Sequence, residues 1–397
     1  MLYIWVSFLV SLIIMMLIAR KNLWLGLLSG ALLLGLTNLP ISEVLNVITT
    51  TITDTSILLL AISVGLIPII GTLLEESGLI NEFINSIRIR SKVFISLAPA
   101  FLGMLTMPGG ALLSAPIISK AGNDQIKNST YAAINVWYRH ILVMIYPLAS
   151  LLPTTKMAGL DLYTQVLYLL PAFILLILLG YFFIINNLSS THLIEGKVNF
   201  KKIIKPLLMI ILAPVIHITI ISTFDILSEL ALFIAVIFTL VSGFFISNTR
   251  IKKFIPYAKK MRIWKYFLII IGMFLFLNMF QASDTSSAIA GIVISKTFLI
   301  VIIGFFLGFA TGRVQVPVSI LLPIYFAKYG SESMTHFVFT IMFFSVFIGY
   351  VFSPLHPCVS VSIEYFKTSL KSFYKKVALP IFISLAIALI VSFIFLG

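Results

Sequence analysis

Apolar runs of 17–25 residues recur about ten times along the chain, separated by short polar and basic stretches. Runs of that length predict transmembrane helices. Uninterrupted candidates cover 2–19, 22–38, 55–74, 163–187, 206–223, 226–247, 264–282 and 377–396. Four further segments are apolar but broken. Segments 93–119 and 297–326 carry a Gly/Pro/Thr cluster in mid-run and predict helical hairpins. Segments 131–155 and 337–365 are cut by proline and predict broken spans. A basic connector at 188–205 marks the boundary between two halves, with 163–187 as a linking helix.

The interruptions repeat. Phe101-Leu102-Gly103 recurs as Phe306-Leu307-Gly308, an offset of 205. Tyr146-Pro147-Leu148 resembles Ser353-Pro354-Leu355 at an offset of 207, about half of the 397-residue chain. An unpaired amide in hydrocarbon costs several kcal/mol, so such breaks must be buried in protein or line a cavity. Broken helices at matching places in two halves point to a transporter's binding site.

The charges orient the spans. Basic clusters lie at Arg20-Lys21, Arg88–Lys92, Lys197–Lys205, Arg250–Lys265 and Lys367–Lys376. With these in the cytoplasm the chain threads with both termini outside. Segment 93–119 then enters from the cytoplasm and returns to it, and 297–326 does the same from the opposite side. Every basic residue falls inside except Lys156, Lys296, Arg313 and Lys328, so Arg139 is expected at the cytoplasmic surface. Span 2–19 runs inward and its counterpart 206–223 outward. The predicted fold is therefore an all-α polytopic membrane protein. Its two inverted repeats, 1–187 and 206–397, each hold a re-entrant hairpin and a broken transmembrane helix.

Composition narrows the functions. Hydrophobic residues make up 60% of the chain and charged ones 10%, and mean hydropathy is +1.14, which excludes a soluble domain. The net charge of +14 does not imply nucleic acid as a partner, because the Lys and Arg sit in short loops between spans. A single cysteine, Cys358, excludes an intramolecular disulfide and a Cys-cluster metal site, and it reads as inert packing. The first residues read as a span rather than a removed signal. GxxxxGK[ST], HExxH and GxSxG are all absent. No enzyme, ATP-driven pump or cofactor is expected, a coupling Na⁺ aside.

The candidate chemistry lies at the breaks. The first tip is Thr106-Met107-Pro108-Gly109-Gly110, followed by Ser114. A helix restarting there would aim free N–H groups at an anion, while the carbonyls freed before it suit Na⁺. A plain Pro/Gly kink is the alternative. The second tip is Thr311-Gly312-Arg313-Val314-Gln315. Arg313 is the one Arg or Lys that the threading places deep in the membrane, a functional hypothesis by default. It clamps an anion bidentately, or stands where the other half holds a cation. The plainer options are snorkelling, or pairing with Asp284 or Glu332. The broken spans add Pro147 and Ser150, then Ser353, Pro354 and His356. Coupling-ion ligands are expected among Thr106, Pro108, Gly109, Pro147, Ser150, Ser353 and Pro354. Substrate ligands are expected among Gly109, Gly110, Ser114, Thr311, Gly312, Arg313, Gln315 and His356. His356 is a protonatable ligand or a cap on a local carbonyl. Asn135, Arg139 and His140 read as a basic helix start at lipid headgroups, or as a cytoplasmic gate. Glu75 and Glu76 end a span, and His217 reads as a core histidine bonded to a neighbouring carbonyl.

MPGGALLSAP at 107–116, NVWYRH at 135–140, SPLHPC at 353–358 and SIEYFK at 362–367 resemble the membrane-protein family described as domain of unknown function 401. The resemblance spans nearly the whole chain. That family is grouped in the ion-transporter superfamily with gluconate permeases, citrate–metal symporters and divalent-anion/sodium symporters. The resemblance implies inverted repeats, with Na⁺ and a carboxylate held at hairpin tips and helix breaks, and a homodimer. The chain departs from the carboxylate carriers in lacking their paired Ser-Asn-Thr signatures at the tips. The expected function is secondary active transport of a small anion, organic acids included, across the cytoplasmic membrane, coupled to Na⁺ or H⁺. Cation export and a passive channel are the alternatives, and a membrane-embedded enzyme is the remotest.

Overall fold

The structure, a computed structural model, describes residues 2–87, 89–105, 110–123, 125–186, 188 and 199–396. All the regular structure it describes is helical. In the first half, α1 (Leu2–Lys21) and α2 (Leu23–Asn38) pack together, followed by α3 (Ile41–Thr53), α4 (Thr55–Glu76) and α5 (Leu79–Asn85). Then come α6 (Ser91–Gly103), α7 (Gly110–Ala121), α8 (Asn128–Ile145), α9 (Leu151–Met157) and α10 (Leu162–Gly180), the last extended by a π turn at Tyr181–Ile185. In the second half, α11 (Phe200–Thr223) packs with α12 (Ser228–Ile246). The short basic α13 (Phe254–Met261) leads into α14 (Ile263–Ala282) and α15 (Thr285–Ala290). A π stretch at Phe298–Ile303 feeds α16 (Gly304–Thr311), and α17 (Gln315–Tyr329), α18 (His336–Phe352), α19 (Pro357–Tyr365) and α20 (Leu370–Leu396) complete the chain.

Eight helical segments among the described residues are long and apolar enough to cross a membrane. The chain is a membrane-spanning protein. α1, α11 and α20 expose rows of Leu, Ile and Phe to the exterior, as lipid-facing helices do, whereas α4 and α18 are mostly buried at the centre.

The two hairpins differ from these spans. Their arms, α6 with α7 and the π stretch plus α16 with α17, are each 12–15 residues long. At 1.5 Å per residue that is about 18–23 Å, short of the roughly 30 Å hydrocarbon core. The arms of each hairpin pack on one another and on the broken helix of the same half, α8 or α18. Small residues allow the contact. A Cβ on Gly103 would overlap the Arg139 carbonyl oxygen, and one on Gly308 would overlap the Val346 carbonyl oxygen. Those partners stand 205 and 207 residues apart, the offsets of the sequence repeat. Backbone approach of this kind is how membrane helices gain packing without a hydrophobic driving force between them.

Proline sets the breaks. α8 ends at Tyr146 (ψ 117°) before Pro147, and α18 ends at Ser353 (ψ 132°) before Pro354, because a residue preceding proline is pushed out of the helical region. His356 is extended (ψ 121°) before Pro357, which opens α19 from its first position. Beyond each break the chain crosses to the other half: α9 packs on α17, and α19 packs on α7 and α8.

Two expectations are corrected. The stretch between 38 and 55, to which no element was assigned, forms the amphipathic helix α3. The connector was expected to run to 205, but α11 begins at Phe200 and takes in Lys201, Lys202 and Lys205, whose long side chains reach out from its first turns. Residues 189–198 of that connector lie outside the described residues. Glu75 and Glu76 end α4 as expected and pair there with Lys260 of α13.

Candidate functional site

The tip of the second hairpin, the two helix breaks and the middle of α8 converge on one cavity of about 510 Å³. α8 supplies Arg139 and His140, the first break supplies Ser150, and the second tip supplies Gly312, Arg313 and Gln315. The second break supplies His356 and Cys358, and Gly110 opens the return arm of the first hairpin. Tyr266 of α14 and Tyr350 of α18 complete the polar part of the wall.

Arg139 is the main correction. The expectation of a headgroup contact fails because α8 starts at Asn128, eleven residues earlier, which puts Arg139 about 17 Å along the helix. It is 5% exposed. Its guanidinium lies against Gly110, where any Cβ would collide with it, and its Nη1 is buried without a hydrogen-bond partner. Arg313 is half-buried, and neither Asp284 nor Glu332 pairs with it: the ion pairs among the described residues join Lys156 to Glu229, Lys202 to Glu82, and Lys260 to Glu75 and Glu76. No Asp or Glu among the described residues lines the cavity. Two guanidiniums therefore share one cavity with no carboxylate among the described residues to offset them.

Gly312 shapes the second tip. Its φ of +60° suits glycine, and a Cβ there would meet the Leu355 carbonyl carbon at 2.8 Å and the His356 amide nitrogen at 2.9 Å. The tip is thus pressed against the second helix break. This contact sets Arg313, the next residue, on the cavity wall.

The histidines meet across the two halves. His140 Nε2 lies 2.9 Å from His356 Nε2, and His140 Nδ1 lies 2.5 Å from the Val136 carbonyl oxygen. Both rings are about 3% exposed, and Tyr350 packs edge-on against both. Cys358, expected to be inert packing, lies on the wall beside them. His140, His356 and Cys358 bring three donor atoms within 4.8 Å of one another. The field of two nearby guanidiniums with no carboxylate opposes a divalent cation there.

Gly110, Ser150, Gly312, Arg313, Gln315 and His356 of the expected ligands are brought together on the wall. Ser114, Thr311, Pro147, Ser353 and Pro354 are not on it. Thr311 donates to the Leu307 carbonyl (2.8 Å) and Ser353 to the Phe309 carbonyl (2.5 Å), so both hydroxyls are spent on local structure. Thr106, Pro108 and Gly109 lie outside the described residues. His217 is a core histidine, held by Tyr163 Oη at 2.8 Å and the Ser228 carbonyl at 3.1 Å.

Ser114 instead serves a buried polar knot. Its hydroxyl donates to Asn135 Oδ1 (2.6 Å), while Asn135 Nδ2 donates to the Ala111 carbonyl (3.1 Å) and to Ser362 Oγ (2.9 Å). The knot ties α7, α8 and α19 together. Asn135→Ala leaves two buried hydroxyls short of a partner and should cost about 1–3 kcal/mol. A lower thermal midpoint in detergent is the expected reading, and an unchanged midpoint would show the knot to be unimportant.

Arg139, His140, Tyr266, Tyr350 and Cys358 were not expected on the wall. A signal for Arg139 was in the sequence: Asn135 and Arg139 are four apart on one helix face, and the break follows at Pro147.

A family model described as "Protein of unknown function (DUF401)" matches residues 5–395. None of the curated proteins matches. Among solved structures, the YdaH transporter of Alcanivorax borkumensis is similar in fold, with a TM-score of 0.59 over 88% of this chain and 86% of that one and 12% sequence identity.

Proposed function

We propose that this chain, which belongs to the family described as protein of unknown function (DUF401), is a secondary transporter that carries a small anion across the cytoplasmic membrane by alternating access. The unpaired Arg139 and Arg313 in a cavity without carboxylates carry this reading. An uncompensated charge in the membrane interior costs several kcal/mol, and an anionic solute is what removes that cost. The fork of each guanidinium fits a carboxylate or another oxyanion with two parallel hydrogen bonds. The same field disfavours cation export.

The architecture supports the carrier mechanism. Each half contributes a short-armed hairpin seated on a broken helix, through the same glycine-on-carbonyl contact. Read as inverted repeats, the halves can rock about the cavity and expose it alternately to either side. The fold shared with a transporter agrees with this.

Uptake of radiolabelled organic acids into proteoliposomes, under an imposed Na⁺ or H⁺ gradient, tests the proposal. Accumulation against a gradient is expected. Arg313→Lys keeps the charge but loses the fork, and should cut uptake by about tenfold. Full transport by that variant would rule out the bidentate role.

A further inference from the structure

We propose that the buried His140–His356 pair is the proton-binding site through which the carrier couples anion movement to the proton gradient. The inference rests on the anion cavity proposed above.

The hydrogen bonds fix where protons sit. A backbone carbonyl only accepts, so the 2.5 Å contact with Val136 places a hydrogen on His140 Nδ1. His140 Nε2 is then a bare acceptor. The 2.9 Å contact between the two Nε2 atoms requires the hydrogen to lie on His356 Nε2. His356 Nδ1 is left with a lone pair, and it is buried beside the Gly312 backbone with no hydrogen bond of good geometry. The pair thus holds one vacant proton acceptor, on a ring that lines the cavity.

Burial and the surrounding charges together decide when it fills. The titratable and charged groups that share the wall with the pair are Arg139 from α8, Arg313 from the second tip, Tyr350 from α18, Cys358 from α19 and Tyr266 from α14. The only permanent charges among them are the two guanidiniums, which repel an added proton. An anion bound between those guanidiniums offsets that repulsion. A proton from water then bonds to His356 Nδ1. No bond is broken within the pair, and the imidazolium goes on donating its Nε2–H to His140. Each ligand therefore raises the affinity for the other, by the same factor in both directions. The empty and the doubly loaded forms are favoured over the singly loaded ones, which is the condition for symport. Because His140 belongs to the first half and His356 to the second, the proton sits at the seam where the halves move.

The test uses the purified chain in detergent with two probes, [³⁵S]sulfate and [¹⁴C]succinate. Binding is measured by equilibrium dialysis, and proton uptake is followed in weakly buffered solution. Sulfate does not titrate between pH 5.5 and 8.5, so any pH dependence of its binding belongs to the protein. Wild-type protein should take up about one proton per anion bound, and at alkaline pH its affinity should weaken by about tenfold per pH unit. His356→Gln should bind more weakly, take up no proton and lose the pH dependence. If that variant fails to fold, His356→Asn, which also lacks the titratable ring nitrogen, should abolish the same proton uptake. Anion binding without proton uptake in wild-type protein overturns the inference and leaves the anion reading standing, and so does undiminished uptake in a folded variant. Binding of neither probe to wild-type protein overturns both.

Discussion

Arg139→Lys should lower anion transport by about 10–100-fold at sub-saturating substrate, with the folded protein recovered in normal amount. Arg139 lines the cavity, its guanidinium presses on Gly110, and its Nη1 is buried without a hydrogen-bond partner. A charge-assisted hydrogen bond is worth about 1.5–3 kcal/mol, which converts to that range of rates. Lysine keeps the charge but cannot present a planar fork over the same span. Arg139→Leu separates function from structure. It should eliminate transport and hold or raise the thermal midpoint, because it removes a charge that nothing in the empty cavity offsets. Unfolding of Arg139→Leu would mean that Arg139 is a structural residue, and the case for an anion site would lose one of its two supports. Uptake in proteoliposomes and thermal unfolding in detergent give the two readings.

Gly308→Val should prevent assembly of the second hairpin. An added Cβ at 308 has no free volume: it overlaps the Val346 carbonyl oxygen and meets the Tyr350 amide nitrogen at 3.0 Å. Both are backbone atoms of α18, which is buried almost throughout, so no flexible side chain can yield. Overpacking of this kind costs about 1–3 kcal/mol or more. The expected result is loss of the monodisperse peak in size-exclusion chromatography. Gly291→Ala is the control, since its Cβ would meet only the Ala288 carbonyl oxygen at 3.6 Å and should change little. A Gly308→Val protein that elutes normally would mean that α16 and α18 are not held in this contact.

The breaks were legible because Pro and Gly in apolar sequence have few physical uses. Pro147, Pro354 and the Gly312 tip stop helices for reasons local to the chain, and the structure interrupts the helices there. Two kinds of information were not local. The burial of Arg139 depends on what packs around α8, and although the expected span already began at 131, nothing in the sequence near Arg139 reports that the rest of the protein covers it. The partners of a hydroxyl depend on packing: Ser353 and Thr311 look like ligands in sequence, yet their nearest acceptors are carbonyls of the adjacent turn or hairpin. α3 was missed because Glu43, Asn46 and four threonines made its apolar face hard to see. The His140–His356 contact joins positions 216 residues apart, and no periodicity reports a pair of that kind.

The crossing of α9 onto α17 and of α19 onto α7 governs how the molecule is made. Asn135 is synthesised 227 residues before Ser362, the hydroxyl it donates to. When the ribosome has delivered the first half of the chain, the Ser362 partner of the Asn135 amide and the α17 surface against which α9 packs are still missing. The translocon can release those early helices into lipid, but their final order is set only as the last helices arrive. Biogenesis of this chain therefore ends in one late closing event that joins its beginning to its end.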